Sequence, residues 1–246
     1  MLKQIPNLIT SLNLLCGCVA IFFAISGDLV TASYFVFTGI FFDFFDGLAA
    51  RLLNAQSEVG LQLDSLADMI TSGVAPAMVM VQLFSESLNG APLVMTDLFV
   101  TEGWNVGWHQ FIPFIGLLIA VGAAYRLAKF NVDTRQTTSF IGLPTPATAL
   151  LVLSLPLILA FQWSALAEQF ILNPYTLTGI TLLGCVLMNA ELPLFALKFK
   201  TWDLKTNAIR YVFLAICMLA IVLLKFIAIP VILGVYILLS LFWKPN

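Results

Sequence analysis

The chain has little that carries charge and almost nothing that binds a transition metal. Only 10% of its 246 residues are Asp, Glu, Lys or Arg, and there is a single histidine, His109. One histidine excludes a paired phosphohistidine mechanism and a histidine cluster for zinc. His109 falls in a polar interval and reads as a solvated loop residue. The four cysteines, Cys16, Cys18, Cys185 and Cys217, all lie in apolar runs. Cys16-Gly17-Cys18 is tighter than the usual zinc spacing and has no second pair, so all four read as buried small hydrophobes. No basic patch is present, which excludes nucleic acid as a partner, and a net charge of -2 says nothing about other partners. There is no internal repeat and no low-complexity tract. No small-residue cleavage site follows the first apolar run, so that run reads as a retained helix rather than a removed signal.

What the chain has in excess is apolar side chains. It is 61% hydrophobic with a mean hydropathy of +1.01, against about 45–50% apolar and about 25% charged in soluble domains. This predicts an all-α integral membrane protein. A spanning helix needs about 20 mostly apolar residues. Eight such runs are expected, near residues 8–26, 31–53, 60–84, 111–130, 144–163, 174–197, 207–225 and 227–243. The last two are separated only by Lys225 to Pro230. Pro144 and Pro146 are placed to start or bend the fifth run. With the N-terminus inside and eight alternating helices, Lys3, Arg51, Arg126, Lys129, Arg135, Lys198, Lys200, Lys205, Arg210 and Lys244 all fall inside. That leaves only Lys225 outside, as the positive-inside rule requires. The acidic interval 85–110 then falls outside, and both termini face the cytoplasm.

Four carboxylates interrupt this apolar chain. Asp43 and Asp46 are three apart near the end of the second run, and Asp64 and Asp68 are four apart near the start of the third. Both spacings put the pair on one helix face. Gly60, four before Asp64, leaves a gap on that face. The segment Leu52 to Val59 carries Asn54, Gln56, Ser57 and Glu58 and reads as a connection, so the two helices are neighbours and the acid pairs face each other. Hard divalent cations take such oxygen ligands, and two of them about 4 Å apart form a clamp for phosphoryl displacement. Most acidic residues are simply solvated. Here Phe41, Phe42, Phe44, Phe45, Leu61, Leu63, Leu66, Met69 and Ile70 interleave with the acids, and a carboxylate at mid-membrane costs on the order of 3 kcal/mol. A functional, metal-neutralised site explains their presence better than surface charge does. Their position near one membrane face suits chemistry on a lipid headgroup, whereas a transport site is expected near the midplane.

Asp43-x-x-Asp46-Gly47-x-x-Ala50-Arg51, eight residues, then Gly60-x-x-x-Asp64-x-x-x-Asp68 resembles the signature of the CDP-alcohol phosphatidyltransferases at every fixed position. Ile5-Pro6-Asn7-Leu8-Ile9-Thr10-Ser11-Leu12-Asn13 is similar to the N-terminus of the serine-using members of that family, the phosphatidylserine synthases. So are Gly73-Val74-Ala75-Pro76-Ala77, Tyr125-Arg126-Leu127-Ala128-Lys129-Phe130-Asn131 and Phe140-Ile141-Gly142-Leu143-Pro144-Thr145-Pro146-Ala147. Two departures are visible. Thr71-Ser72 stands where Ser-Phe is usual, and Lys129 stands where a second Arg is usual, which weakens any role there that needs a bidentate contact.

The resemblance implies a six-helix catalytic core, about residues 1–197, followed by a basic loop and two further helices in 198–246. It implies displacement of CMP from CDP-diacylglycerol by the L-serine hydroxyl, with two Mg2+ or Mn2+ ions on Asp43, Asp46, Asp64 and Asp68, and with Asp68 as general base. It places Gly47, Ala50, Arg51, Gly60, Asn7, Thr10 and Asn13 at the CDP-lipid. Arg126, Lys129, Asn131 and Arg135 become candidates for the serine carboxylate or a lipid phosphate. It also implies a homodimer in the cytoplasmic membrane, with its active site on the cytoplasmic side. Plainer readings stand beside these roles. Gly47 and Ala50 suit helix packing, Arg51 an interfacial anchor, Asn7, Thr10 and Asn13 helix capping, and Arg126, Lys129 and Arg135 the positive-inside signal itself. Alternative functions are the same fold with glycerol 3-phosphate or inositol phosphate as acceptor, or a divalent-cation transporter. The first would need more cationic residues beside the site, and the second has no matching acids in the other half of the helices.

Overall fold

The computed structural model describes residues 4–94, 108–133, 140–194 and 208–242. Arg135, Lys3, Lys198, Lys200, Lys205, Lys244 and residues 95–107 of the polar interval 85–110 lie outside the described residues, as do the side chains of His109 and Arg210.

Helices α1 (Ile5–Ile25) and α2 (Leu29–Leu52) make a hairpin. Its turn needs Gly27, at φ +83°, a conformation costly for residues with a Cβ. Asp28 caps α2 by accepting from the Thr31 N–H at 3.0 Å, which satisfies one orphan donor of the first turn. The Thr31 hydrogen bonds hold the Asp28 carboxyl below its ordinary value. After a short connection, Ser57 caps α3 (Glu58–Asp68) through the Gly60 N–H at 3.0 Å. Helix α3 runs straight into a π-helical segment, Met69–Val74, and then into α4 (Ala75–Asn89), where left-handed Gly90 ends it. A 3-10 helix (Trp108–Leu117) leads into α5 (Leu118–Val132). Then come α6 (Thr145–Phe161), α7 (Ala165–Ile171), α8 (Pro174–Asn189), α9 (Ala208–Leu224) and α10 (Ala228–Phe242). Pro144 is the N-cap residue of α6 and Pro146 lies in its first turn, where a missing N–H costs nothing. Strands β1 (Phe140–Ile141) and β2 (Pro193–Leu194) form one short antiparallel pair, with Phe140 opposite Leu194.

Helix α4 is the axis of the bundle. Almost every residue from Ala75 to Ser85 is buried, as expected of a helix that is apolar all round. Met80, Leu83 and Phe84 pack with Ala20 and Ala24 of α1, Ala32 and Val36 of α2, and Val152 and Leu153 of α6. Many large apolar side chains point outward instead, among them Phe22, Phe44, Val121, Leu183 and Val222. An exposed apolar surface of that extent suits a lipid environment. Among the described residues, five helical stretches are long and apolar enough to cross a bilayer: Ile5–Ile25, Leu29–Leu52, Glu58–Asn89, Gln110–Val132 and Tyr211–Leu241. The α7–α8 pair, bent by 60°, raises the number to six. The protein is therefore an all-α integral membrane protein.

The expected count of eight spans differs from this for identifiable reasons. Helix α6 has only 17 residues, and α7 interrupts the approach to α8. The last two expected runs count as one stretch by length, yet they fold back on each other. Lys225 takes φ +48°, and the rings of Phe213 and Tyr236 lie 5.6 Å apart. Gln162, just beyond α6, ties that turn to the bundle. Its Nε2 donates to the Leu224 carbonyl at 3.0 Å, and its Oε1 accepts from the N–H groups of Phe226 and Ile227 at 2.7 and 3.2 Å. The start of α1, the end of α2 and the start of α3 meet at the opposite end of the bundle, around one cleft.

Candidate functional site

The acid pairs of α2 and α3 do face each other. Carboxylate oxygens of Asp43, Asp64 and Asp68 all lie within 4.8 Å of one another. Asp43 and Asp64 are within hydrogen-bond reach, and Asp64 Oδ1 is buried with no donor. Asp46 is turned away from this group. Three residues along a helix is about 60° short of a full turn, which carries the side chain round toward α1. There Thr10 Oγ1 donates to Asp46 Oδ2 at 2.5 Å, and Asp46 is buried. Three like charges so close repel one another, and an oxygen without a donor is costly in a buried setting. Both features fit a hard divalent cation, which takes oxygen ligands. Asp43, Asp64 and Asp68 are thus the residues able to hold one, with Asp46 adjacent.

A cleft of about 800 Å³ opens beside the acids. Asp46, Gly47, Ala50 and Arg51 of α2 form one wall, and Gly60, Leu61 and Asp64 of α3 form another. Pro6, Asn7 and Thr10 of α1, Phe130 of α5, and Ala55 to Glu58 from the connection into α3 complete it. Gly47 has open space where a Cβ would stand, so helix packing does not explain it. A Cβ on Gly60 would come within 3.1 Å of both Asn7 Oδ1 and Ser57 Oγ, so glycine here lets Asn7 reach the wall. Arg51 Nε donates to the Gly47 carbonyl at 3.0 Å along its own helix.

The other sequence candidates divide. Asn13 does not line the cleft. It is fully buried, and its Nδ2 donates to Asp68 Oδ1 at 3.3 Å. Arg126 is also buried, with its guanidinium 5.1 Å over the Phe130 ring, within electrostatic reach of Asp68, and with Nε unpartnered. Lys129 pairs with Glu191 at 3.5 Å. Asn131 is engaged with Ser65 of α3. Arg135 lies outside the described residues.

Several residues at the site carried no sequence signal of their own. Phe130 sits between two candidates, but nothing in an apolar run marks the one ring that lines a cleft. Ser65 lies between Asp64 and Asp68, and its partner is 66 residues away. Thr71 was visible only as a departure from the family pattern. Its hydroxyl donates to the Asn13 carbonyl at 3.0 Å.

A model of the CDP-alcohol phosphatidyltransferase family matches residues 3–188. The CDP-diacylglycerol–serine O-phosphatidyltransferase of Bacillus subtilis is 38% identical over 149 residues, covering 59% of this chain and 71% of the relative. The Helicobacter pylori protein of the same name is 32% identical over 216 residues, covering 86% of this chain and 80% of the relative. That of Saccharomyces cerevisiae is 34% identical over 133 residues, half of this chain and 40% of the relative.

Proposed function

The chain belongs to the CDP-alcohol phosphatidyltransferase family, and on that premise we propose that it transfers the phosphatidyl group of CDP-diacylglycerol to the hydroxyl of L-serine, giving phosphatidylserine and CMP. The observation that carries this reading is the meeting of Asp43, Asp64 and Asp68 within 4.8 Å, beside a cleft that most of the signature residues line. Serine as the acceptor is supported by the names of the relatives. Membership also removes the cation transporter as a reading.

Each residue then has work to do. Gly47 and Ala50 keep one wall low for the nucleotide, and Gly60 lets Asn7 offer its amide from the other. Thr10 fixes Asp46. A serine hydroxyl is a weak nucleophile and needs a base within hydrogen-bond reach. Asp68 takes its proton as the hydroxyl oxygen bonds to the lipid-side phosphorus. The bond from that phosphorus to the pyrophosphate bridge breaks, and CMP leaves with the electron pair. Arg126 offers an unpartnered guanidinium Nε to the serine carboxylate or a lipid phosphate. Two Mg2+ or Mn2+ ions on Asp43, Asp46, Asp64 and Asp68 would neutralise charge on the phosphates and on the leaving CMP.

The same reading assigns residues 1–197 to a catalytic core and 198–246 to a basic loop with two peripheral helices. It puts the cleft on the cytoplasmic side of the inner membrane, because the basic residues cluster at that end of the chain's expected topology. It also includes a homodimer, which cross-linking in membranes would detect.

The test is CMP release from CDP-diacylglycerol by the purified protein with Mn2+ or Mg2+, with and without L-serine. Serine-dependent release that EDTA and Asp68→Asn both abolish is the expected result. Release driven by glycerol 3-phosphate or inositol phosphate instead would overturn the acceptor and leave the phosphatidyl transfer standing.

A further inference from the structure

Asp68 is held by contacts that begin three residues further along its own segment. The α-helical ladder of α3 stops at Asp68, and Met69–Val74 forms the π segment before α4 resumes. Such insertions are often found at functional sites. Thr71 lies in this segment and is fully buried. A threonine in a helix ordinarily bonds the carbonyl four residues back on its own helix, as Thr38 and Thr178 do here. Thr71 does not. It donates across to α1, to the backbone carbonyl of Asn13, and the amide of Asn13 donates in turn to Asp68 Oδ1.

The packing around these two residues is built for that link. A Cβ on Gly17 would overlap Thr71 Oγ1 and stand 2.9 Å from its Cα. A Cβ on Gly39 would stand 2.6 Å from Thr71 Cγ2 and 2.9 Å from Asn13 Oδ1. Glycines on α1 and α2 therefore open the socket in which Thr71 and Asn13 sit. The Asn13 amide oxygen lies against Gly39 with no hydrogen-bond partner, which leaves the NH2 group facing Asp68. Neither Thr71 nor Asn13 lines the cleft.

We infer that Thr71 is a positioning residue for phosphatidyl transfer. It fixes α1 at Asn13, whose amide occupies one oxygen of Asp68 and leaves the other for the reaction. This inference rests on the proposed role of Asp68 as the base. Thr71 touches no substrate, so its loss lowers turnover and spares binding.

The experiment compares Thr71→Val, Thr71→Ser, Asn13→Leu and the Thr71→Val/Asn13→Leu pair in the purified full-length protein. It measures serine-dependent CMP release and the thermal midpoint of the metal-free protein. Thr71→Val is expected to lower kcat about tenfold, the scale of one lost hydrogen bond, with KM for both substrates and the midpoint little changed. Thr71→Ser keeps the wild-type rate. In the Asn13→Leu background Thr71→Val has little further effect, because the carbonyl that Thr71 bonds remains but the amide through which it acts on Asp68 is gone. If Thr71→Val does not fold, Thr71→Ser against Thr71→Ala makes the same comparison. An unchanged kcat, a loss that appears in KM, or losses that simply multiply in the double variant would each overturn the inference while leaving the function intact. A wild-type protein that releases CMP with no alcohol would overturn the functional reading and this inference with it.

Discussion

Ser65 and Asn131 hold each other across α3 and α5. The Ser65 hydroxyl lies 3.1 Å from Asn131 Oδ1, and Asn131 Nδ2 donates to Ser65 Oγ at 2.9 Å. Ser65 stands next to Asp64, so this contact sets how α3 turns its acids toward α2. Asn131→Leu removes both bonds. A net effect of about 1 kcal/mol per hydrogen bond predicts a lower thermal midpoint and a several-fold drop in kcat. KM for serine should stay level, because the amide is already engaged. A rise confined to KM for serine would return Asn131 to the acceptor site.

The contrast between Asp43 and Asn13 explains what the sequence makes legible. The acid pairs depend on spacing within single helices and on one short connection, so their meeting follows from local geometry. Asn13 reads as a CDP-lipid contact because the family resemblance places it there with Asn7 and Thr10. Its burial depends instead on the glycines of two helices and on a π segment, none of which leaves a periodic trace. The spans show the same division. Long apolar runs are plain, whereas the fold-back at Lys225 rests on one residue with φ +48° and on the side chain of Gln162.

Cation dependence gives the second prediction. EDTA should abolish CMP release, and added Mn2+ should restore it. Asp43→Asn and Asp64→Asn remove ligands from the group whose oxygens lie within 4.8 Å, and metal stabilisation is worth several kcal/mol. Each should cost about 1,000-fold or more in kcat/KM, measured at saturating Mn2+. Asp46, turned toward Thr10, should tolerate Asn better than either. Equal losses at all three positions would give Asp46 as large a share in holding the ions as Asp43 and Asp64.

Thr10 can be tested through its contact with Asp46. Its hydroxyl donates to a buried carboxylate, a class of hydrogen bond worth roughly 1.5–3 kcal/mol. Thr10→Val keeps the shape and removes the donor, so kcat/KM for CDP-diacylglycerol should fall about ten- to a hundredfold. Thr10→Ser should recover most of it. A serine variant as poor as the valine one would assign the effect to packing of the lost methyl group.

The glycines divide into two kinds, and substitution should separate them. Gly47 faces open cleft, so Gly47→Val should leave the thermal midpoint unchanged and raise KM for CDP-diacylglycerol strongly. A Cβ on Gly39 would stand under 3 Å from Thr71 and Asn13, so Gly39→Ala overpacks the helix contact and should cost about 1–3 kcal/mol of stability. Thermal unfolding in detergent beside steady-state kinetics reads both. A destabilised Gly47→Val with normal KM would mean that the cleft wall is a packing surface after all.

Gln162 provides the last test, because it separates the peripheral helices from the chemistry. It makes three hydrogen bonds to the backbone of the turn between α9 and α10. Gln162→Leu keeps the volume and loses all three, leaving a carbonyl and two N–H groups without those partners. At about 1 kcal/mol each, the turn should loosen by roughly 3 kcal/mol. Lys225 lies in that turn, at the end of the bundle opposite the cleft, so limited trypsin digestion should cut the variant there faster than the wild type. The acids and the cleft are untouched, so serine-dependent CMP release should stay within about twofold, well under the effect of a lost catalytic contact. Faster cleavage with normal turnover supports a catalytic core that works without help from the last two helices. A matching collapse of turnover would make the hairpin part of the catalytic unit and would overturn the division of the chain near residue 197.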